Sequence, residues 1–584
     1  LPVVVFAVAF GVRAITLVQE RAGNPLFLEP LLDDRTYLRL ANELRDPAAT
    51  PRPWFLAPLF PWMLALAAAG GAATMAVAGW LAAVVGSATA ALVAATARAL
   101  HSTAAGWIAG LAYAACGVLV FSEVLPGQEP ALCLLNAAAL GLVVLHFRRG
   151  APDWTAVAFG AVVGVAMLGR ATSGALGIAF AAVVLLRVAP RRRAWRGVGL
   201  AAAGAFVVLL PAAIRNARAF GDFTPFPWSG GSNLYMANGP FSRRFATFAS
   251  PDVGLDPDAM ERGARAVAER AEGRALKPSE ISAWWTRRTW NERGSIADTT
   301  SHLAKKAALF WSADEIANNH DVVLEREWST WLRVVPVSSW WMLALGVGGW
   351  WIGRRRAPEL DWAAAVFVLS WAALTVYFPL SRYKLPLAPF ALVASAAGAA
   401  ELATARVPLR RVLTAAALTL VAAGLSFVAT TSVAHFAGAR NLAFAFAARG
   451  ETERGIEVLR RSLETERDDG SISEALGRLL LEQDRFGDAV EQFEIARVRG
   501  RFTAGVPEVY ALVGLGQADA ARRTGAELAD RELSPTMRAE LFGGLALAEL
   551  ALGDRARATE RLRAAEALDS DAPIVVKARD VISR

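Results

Sequence analysis

Long apolar runs separated by short basic clusters fill the chain up to about Val433, and amphipathic helical periodicity replaces them beyond it. A membrane-crossing helix needs roughly 20 consecutive apolar residues. Runs of that kind predict spans at 1–19, 73–97, 104–122, 128–147, 154–169, 171–188, 197–214, 332–352, 361–379, 386–404 and 412–432. The apolar stretch 57–70 is shorter and opens Ala-Pro-Leu-Phe-Pro, so it predicts a helix lying at the membrane surface. The first run has no signal-peptide cleavage pattern after it and reads as a retained helix.

The basic clusters orient these spans. Arg148-Arg149, Arg191-Arg192-Arg193 with Arg196, Arg354-Arg355-Arg356, and Arg406 with Arg410-Arg411 all fall between apolar runs. The positive-inside rule places all four in the cytoplasm. The expectation is then about eleven spans in a plasma membrane, with the N-terminus cytoplasmic. Loops 20–72 and 215–331 and the C-terminal part face the opposite side.

After Asn441 the segments Ala443 to Leu463, Ala475 to Ala496, Val506 to Leu528 and Leu541 to Leu568 resemble one another. Their turns fall near Gly450, Arg485, Gly516 and Gly553. A period of about 34 residues, with glycine at the turn and alanine where helices cross, is the tetratricopeptide pattern. The fold class expected is therefore all-α: a polytopic membrane domain over 1–432 and an α-solenoid of tetratricopeptide repeats over 441–584. Such arrays bind partners along a concave face; a plain spacer or lid is the blander alternative.

Composition agrees with this division. The 584 residues are 55% hydrophobic, and much of the Arg behind the net charge of +8 sits in the clusters just described. That arrangement sets topology and gives no nucleic-acid-binding surface. Two cysteines, Cys116 and Cys133, lie inside apolar runs and form no disulfide framework.

Candidate chemistry begins in the first loop, "LFLEPLLDDRTYLRLANELRD". Asp33 and Asp34 precede a short helix with Tyr37, Leu40, Ala41 and Leu44 on one face. An Asp at a helix start is a common cap, but carboxylates beside a bilayer need a reason to be there. At this point the sequence resembles a known group. Asp33-Asp34 with Tyr37 and Ala41, followed by "APLFPWMLAL", looks like the acidic pair and juxtamembrane helix of the protein O-mannosyltransferases and aminoarabinose transferases, in the C superfamily of glycosyltransferases (GT-C). "SEVLPGQEPALCLLNAAAL", with Glu129, "GAVVGVAMLGRATSGAL", with Arg170, "PAAIRNARAFGDFTPFPWSGGSNLYMANGP", "FWSADEIANNHD" and "SRYKLPLAPF" resemble its later outer segments in order. The resemblance covers roughly residues 1–430. It departs at the pair itself, which is Asp-Asp where the O-mannosyltransferases have Asp-Glu.

The resemblance implies a polyprenyl-phosphate-linked sugar as donor and a glycan, lipid or protein hydroxyl as acceptor. Sugar transfer needs a base for the acceptor proton, and Asp33 is the candidate; Asp34 holds the acceptor or orients Asp33. The phosphate leaving group needs positive charge. The outward cations are Arg170, Arg215, Arg382 and Lys384, with Tyr383 between the last two; interfacial snorkelling is the bland reading of Arg382 and Lys384. Arg170 has Glu129 or the donor phosphate as its expected partner, and Glu123 is a further acidic residue nearby. Asn318, Asn319 and His320 stand as sugar-binding candidates, though a lone His is more often a satisfied surface residue. Gly230, Gly231, Asn233, Tyr235 and Asn238 read either as part of a sugar pocket or as a plain turn. No cofactor is firmly implied; a single divalent cation at Asp33 and Asp34 stays open. The overall expectation is an inverting hexosyl- or pentosyltransferase acting on the outer face. A transporter, a non-catalytic membrane-anchored scaffold, and an oligosaccharide ligase or polymerase are the rivals.

Overall fold

A computed structural model describes residues 1–584 except 246–249, 251–252, 254–255, 430–434, 466–469 and 584. The last residues of the expected span 412–432, and with them the expected domain end at 432, lie outside the described residues. Among the described residues helix is the only extended regular element. The chain divides into two compact units.

The first unit comprises Leu1–Trp228, Lys277–Ser279 and Ser295–Thr431. Six of its helices are long and apolar enough to cross a membrane: Pro2–Gly23, Met75–Leu100, Glu129–Arg148, Arg191–Phe220, Ser381–Thr404 and Leu409–Val428. Three shorter apolar helices, Asp153–Gly169, Ala171–Arg187 and Leu360–Val376, accompany them. This is an all-helical, multi-pass membrane protein. A helix occupies each of the eleven expected segments, with two modifications. The segment 104–122 breaks at Cys116, whose backbone is extended, into Thr103–Ala115 and Gly117–Ser122. The segment 332–352 is helical mainly over Trp340–Gly353. The stretch 57–70 forms Leu59–Ala67, nine residues, which at 1.5 Å per residue rise about 13 Å, too short to span.

Lipid tails are as apolar as leucine, so these helices associate through close packing. Small residues supply it. A Cβ on Gly160 would collide with the Ala201 carbonyl, one on Gly204 with the Val157 carbonyl, and one on Gly349 with Ala394 and Ser395. Helix Ser381–Thr404 is the innermost, while Arg191–Phe220 and Leu409–Val428 leave most of their apolar surface facing outward. One charge pair is sealed inside this packing. Arg13 and Glu123 are fully buried and joined by two ion-pair contacts, one of them 2.7 Å from Arg13 Nε. Tyr113 Oη donates to Glu123 Oε1 at 2.6 Å. Gly86 makes room for the carboxylate, which a Cβ there would strike.

The second unit comprises Ser229–Leu276, Glu280–Gly294 and Ser432–Arg584. Its C-terminal part is a run of helix pairs: Phe436–Ala448 with Thr452–Thr465, Ser471–Glu482 with Phe486–Val498, Gly505–Gly514 with Ala518–Leu528, and Pro535–Ala551 with Arg555–Asp569, ending in Pro573–Ile582. Each pair turns on one residue with positive φ: Gly450, Asp484, Gly516 and Gly553. The glycines meet this left-handed requirement without a Cβ penalty, and Asp tolerates it better than most residues. Part of the long loop 215–331 belongs to this unit. Gly230–Asn238 is a helix there, and Gly231 lies against the Ser282 backbone too closely for a Cβ. Trp285, fully buried, donates from Nε1 to the Ala264 carbonyl at 2.9 Å.

Gly349→Leu is expected to overpack its helix contact and destabilise the first unit by about 1–3 kcal/mol. Gly424→Leu, where a Cβ meets open space, serves as the neutral control. Thermal unfolding in detergent reads both; equal midpoints for the two variants would contradict the packing account.

Candidate active site

Asp33 and Asp34 occupy the first turn of helix Leu32–Glu43, but neither caps it. The N-cap is Leu31, which makes no side-chain hydrogen bond. Acidic side chains in a first turn suit the helix dipole; here both also have specific partners. Asp33 Oδ2 accepts from Arg382 Nη2 at 2.9 Å. Asp34 Oδ2 lies 2.6 Å from His320 Nε2. Leu32, directly before the pair, has φ +50°, a left-handed conformation that costs an L-residue about 1–2 kcal/mol. Buried Tyr37 and Ala41 anchor the helix, with Tyr37 packed edge-on against Phe60 of Leu59–Ala67.

His320 is held from both sides. Its Nδ1 lies 2.9 Å from Glu325 Oε2 while Nε2 faces Asp34. Only the imidazolium can donate from both ring nitrogens. Burial acts against that charge, but the carboxylates of Glu325 and Asp34 outweigh it and hold His320 protonated well above the usual histidine range. Glu325 is fixed in turn by Asn24 Nδ2 at 2.7 Å and by the Asp321 backbone N–H at 2.6 Å. Asn24 Nδ2 also donates to Glu20 Oε2 at 2.8 Å. The linkage thus runs from the first loop through residue 320 to the end of the first helix.

These groups border a cavity of about 80 Å³ lined by Asp34, Glu129, Glu315, Asn318, Asn319, His320, Ser381 and Arg382 among others. Glu129 pairs with Arg170 at 3.0 Å, and Arg170 lies 4.5 Å over the Tyr383 ring. Arg382 Nη2 also donates to Tyr383 Oη at 3.2 Å. Buried Lys384 donates to the Ser312 carbonyl at 3.2 Å and lies 3.8 Å from Glu315.

The expected site residues therefore separate into two groups. Asp34, Glu129, Asn318, Asn319, His320 and Arg382 line one cavity, with Asp33 held against Arg382. Tyr37, Arg170, Tyr383 and Lys384 are not part of its lining, though Arg170 and Tyr383 contact Glu129 and Arg382, which are. Arg215 is engaged elsewhere: it donates to the Arg52 carbonyl at 2.9 Å and lies 4.7 Å over Trp54. Gly230, Gly231, Asn233, Tyr235 and Asn238 are helical residues of the second unit, where Tyr235 Oη donates to Glu292 at 2.7 Å. Glu123 is paired with Arg13. Sequence reasoning missed Glu315, Glu325 and Ser381; the acidic residues of "FWSADEIANNHDVVLE" were the available signal. Among the described residues no group of three or more His, Cys, Asp or Glu is placed to hold a metal ion. A cation shared by Asp33 and Asp34 would have to displace Arg382 and His320.

A histidine held protonated above its unfolded value near 6.5 contributes stability that is complete below that pH. The contribution is lost as pH climbs through the raised folded value. The wild-type unfolding midpoint is therefore expected to fall on the alkaline side of neutrality, and His320→Gln to lower the midpoint at pH 6 and flatten that slope. Thermal unfolding from pH 6 to 10 measures both; parallel curves would contradict the imidazolium bridge.

Residues 52–214 match the family model described as dolichyl-phosphate-mannose-protein mannosyltransferase. No curated protein matches the chain. Among solved structures, the chain is similar to the archaeal oligosaccharyltransferase AglB from Archaeoglobus fulgidus in complex with an inhibitory peptide and a dolichol-phosphate. The identity is 15% and the TM-score 0.42, over 80% of this chain and 60% of that one. The A. fulgidus oligosaccharyltransferase in complex with Zn and sulfate gives 16% and 0.41, over 79% and 57%. The Cut9–Hcn1 hetero-tetramer of APC/C gives 12% and 0.24, over 80% and 98%. The chain spans about three-fifths of the oligosaccharyltransferase's length, and at these TM-scores the likenesses carry no argument about mechanism. The family match falls on the stretch that holds Glu129, Arg170 and helix Leu59–Ala67, so residues 52–214 are similar to the dolichyl-phosphate-mannose-protein mannosyltransferase family.

Proposed function

We propose that this protein is a membrane glycosyltransferase that moves a sugar from a polyprenyl-phosphate donor to an acceptor hydroxyl on the outer face of the membrane. The observation that carries the reading is the Asp33–Arg382 pair at the edge of a cavity whose other acidic wall, Asp34, is locked to His320. The family match over 52–214 supports a lipid-phosphate donor.

The two carboxylates take different roles because their partners differ. Asp34 is buried and rigidly bonded, so it positions the turn and lines the acceptor side. Asp33 is held by a single guanidinium nitrogen. A donor phosphate is a strong competitor for that guanidinium, since Arg binds phosphate oxygens in bidentate fashion. Phosphate arrival at Arg382 releases Asp33 beside the reacting centre. Asp33 then removes the acceptor proton as the acceptor oxygen attacks the anomeric carbon from the face opposite the phosphate. The carbon–phosphate-oxygen bond breaks, the configuration inverts, and the leaving phosphate keeps its negative charge against Arg382. No general acid is needed for such a leaving group, and Arg170, paired with Glu129, steadies Tyr383 beside Arg382.

The expected sidedness completes the reading, with cytoplasmic Arg clusters, outward loops, and the C-terminal helix pairs outward. Those pairs, as a tetratricopeptide array over 441–584 beside a membrane domain over 1–432, recruit a protein partner or acceptor along their concave face.

Membranes carrying wild type, Asp33→Asn and Asp34→Asn, supplied with polyprenyl-phosphate sugars, test this through glycosylated product or free lipid phosphate. Loss of a general base lowers the rate by about 10²–10⁴-fold, and Asp33→Asn is expected in that range. Full activity in Asp33→Asn defeats the base assignment. Substrate accumulation inside sealed vesicles without sugar transfer supports a transporter instead. Cytoplasmic labelling of an introduced cysteine near residue 560 overturns the sidedness.

A further inference from the structure

Three residues that line the cavity carry buried polar atoms for which the protein supplies no partner. Glu315 is 3% exposed and Ser381 7%, and both line the cavity. The two oxygens of Glu315 are used very differently. Oε1 accepts from the Ser339 backbone N–H at 2.5 Å and from Ser339 Oγ at 2.6 Å, with Lys384 at 3.8 Å. Oε2 is buried with no hydrogen-bond partner. Ser381 Oγ is likewise buried and unpartnered, and so is Nε of the neighbouring Arg382. A buried polar group without a partner costs about 1–3 kcal/mol, and more when charged. Three such atoms on residues lining one small cavity mark a surface completed by something that enters it.

The chemistry of the three atoms defines what enters. A carboxylate oxygen only accepts, a guanidinium Nε only donates, and a serine hydroxyl does either. The complementary ligand presents a hydrogen-bond donor to Glu315, a group of either polarity to Ser381, and an acceptor to Arg382. Hydroxyls on a neutral sugar ring, with a phosphate oxygen beside them, present these groups. An anionic sugar carrying a carboxylate toward Glu315 would face charge repulsion in a buried site, and a deoxy carbon there would leave Oε2 unpaired. The other oxygen of Glu315 is held by Ser339, with Lys384 close by.

We infer that Glu315 and Ser381 form the subsite that selects the donor's sugar, taking a neutral hydroxyl-bearing ring and rejecting uronates and one monodeoxy position. This rests on the donor reading above and adds the sugar class to it. It also gives the cluster of Glu315, Ser339 and Lys384 a role of its own: a rigid mount for one carboxylate oxygen.

The test uses the full chain in nanodiscs. Ligands are polyprenyl-phosphate mannose, polyprenyl-phosphate glucose, the monodeoxy series of each, polyprenyl-phosphate glucuronate, and bare polyprenyl phosphate as internal reference. Both binding and transfer are measured. Wild type is expected to bind a neutral sugar lipid more tightly than bare lipid, to reject glucuronate, and to lose roughly 10- to 100-fold at one deoxy position, as an unpaired buried group requires. In Glu315→Gln and, independently, Ser381→Ala, the ratio between the intact sugar and that deoxy analogue is expected to collapse toward one. Ser381→Ala removes a single unpartnered oxygen and keeps the test usable if Glu315→Gln fails to fold. Discrimination unchanged in Ser381→Ala and in folded Glu315→Gln, or glucuronate bound as well as neutral sugars, overturns the subsite. Wild type that does not distinguish sugar lipid from bare lipid overturns both the subsite and the donor reading. Sugar discrimination that the variants abolish, with no transfer to any acceptor, upholds the subsite and overturns the transfer reading alone.

Discussion

An imidazolium bonded to two carboxylates ties together the parts of the site that are farthest apart in sequence. His320 joins Asp34 of the first loop to Glu325 of the long loop, and Asn24 extends the linkage to the first helix. Charge buried beside a bilayer is tolerated only when it is paired, and here the pairing does more than neutralise. It fixes the turn that carries Asp33, and it does so from residues that no local preference would have brought near. With Asp34 committed to His320, Asp33 is the carboxylate left to face Arg382. The different settings of two adjacent identical side chains follow from what each one touches.

Packing of small residues makes that pairing geometrically available. Helix Ser381–Thr404 begins with Ser381 and Arg382 and is the innermost of the long apolar helices, so the start of a core helix delivers the cation to the cavity. Gly346 and Gly349 of Trp340–Gly353 allow it to lie close against its neighbour. Arg13 and Glu123 act as a second internal clamp, holding the first helix to the turn after Gly117–Ser122 through a fully buried pair. The left-handed Leu32 shows that the loop accepts local strain directly ahead of the acidic pair, a cost that the ion pairs on both Asp33 and Asp34 offset.

Much of this was legible in the sequence because it depends on period and composition. Apolar runs located the helices, and the helix turns of the C-terminal part fell where glycine spacing placed them, with Asp484 taking the left-handed position next to Arg485. The acidic pair, Glu129, Arg170 and Arg382 stood out as charged groups in outer loops or at helix ends, while His320 read more readily as a surface histidine. Side-chain pairing was harder to read. Arg13 lies inside an apolar run and resembles any tolerated charge until Glu123 is seen 110 positions away. Glu315 and Glu325 look like surface acids in a polar segment, and only their burial distinguishes them. Residues 230–238 carry turn-forming glycine and asparagine, yet tertiary contact with Ser282 makes them a helix of the other unit. Arg215 had the right charge and position, but the Arg52 carbonyl and the Trp54 ring engage it first.

The central claim is that donor phosphate and Asp33 compete for one guanidinium. A structure of the full chain with polyprenyl phosphate bound tests it most directly. The account predicts the phosphate on Arg382 and the Asp33–Arg382 contact, 2.9 Å without donor, opened beyond the roughly 4 Å limit of an ion pair, with Asp34 still on His320. Phosphate bound elsewhere, with Asp33 and Arg382 still in contact, would contradict it.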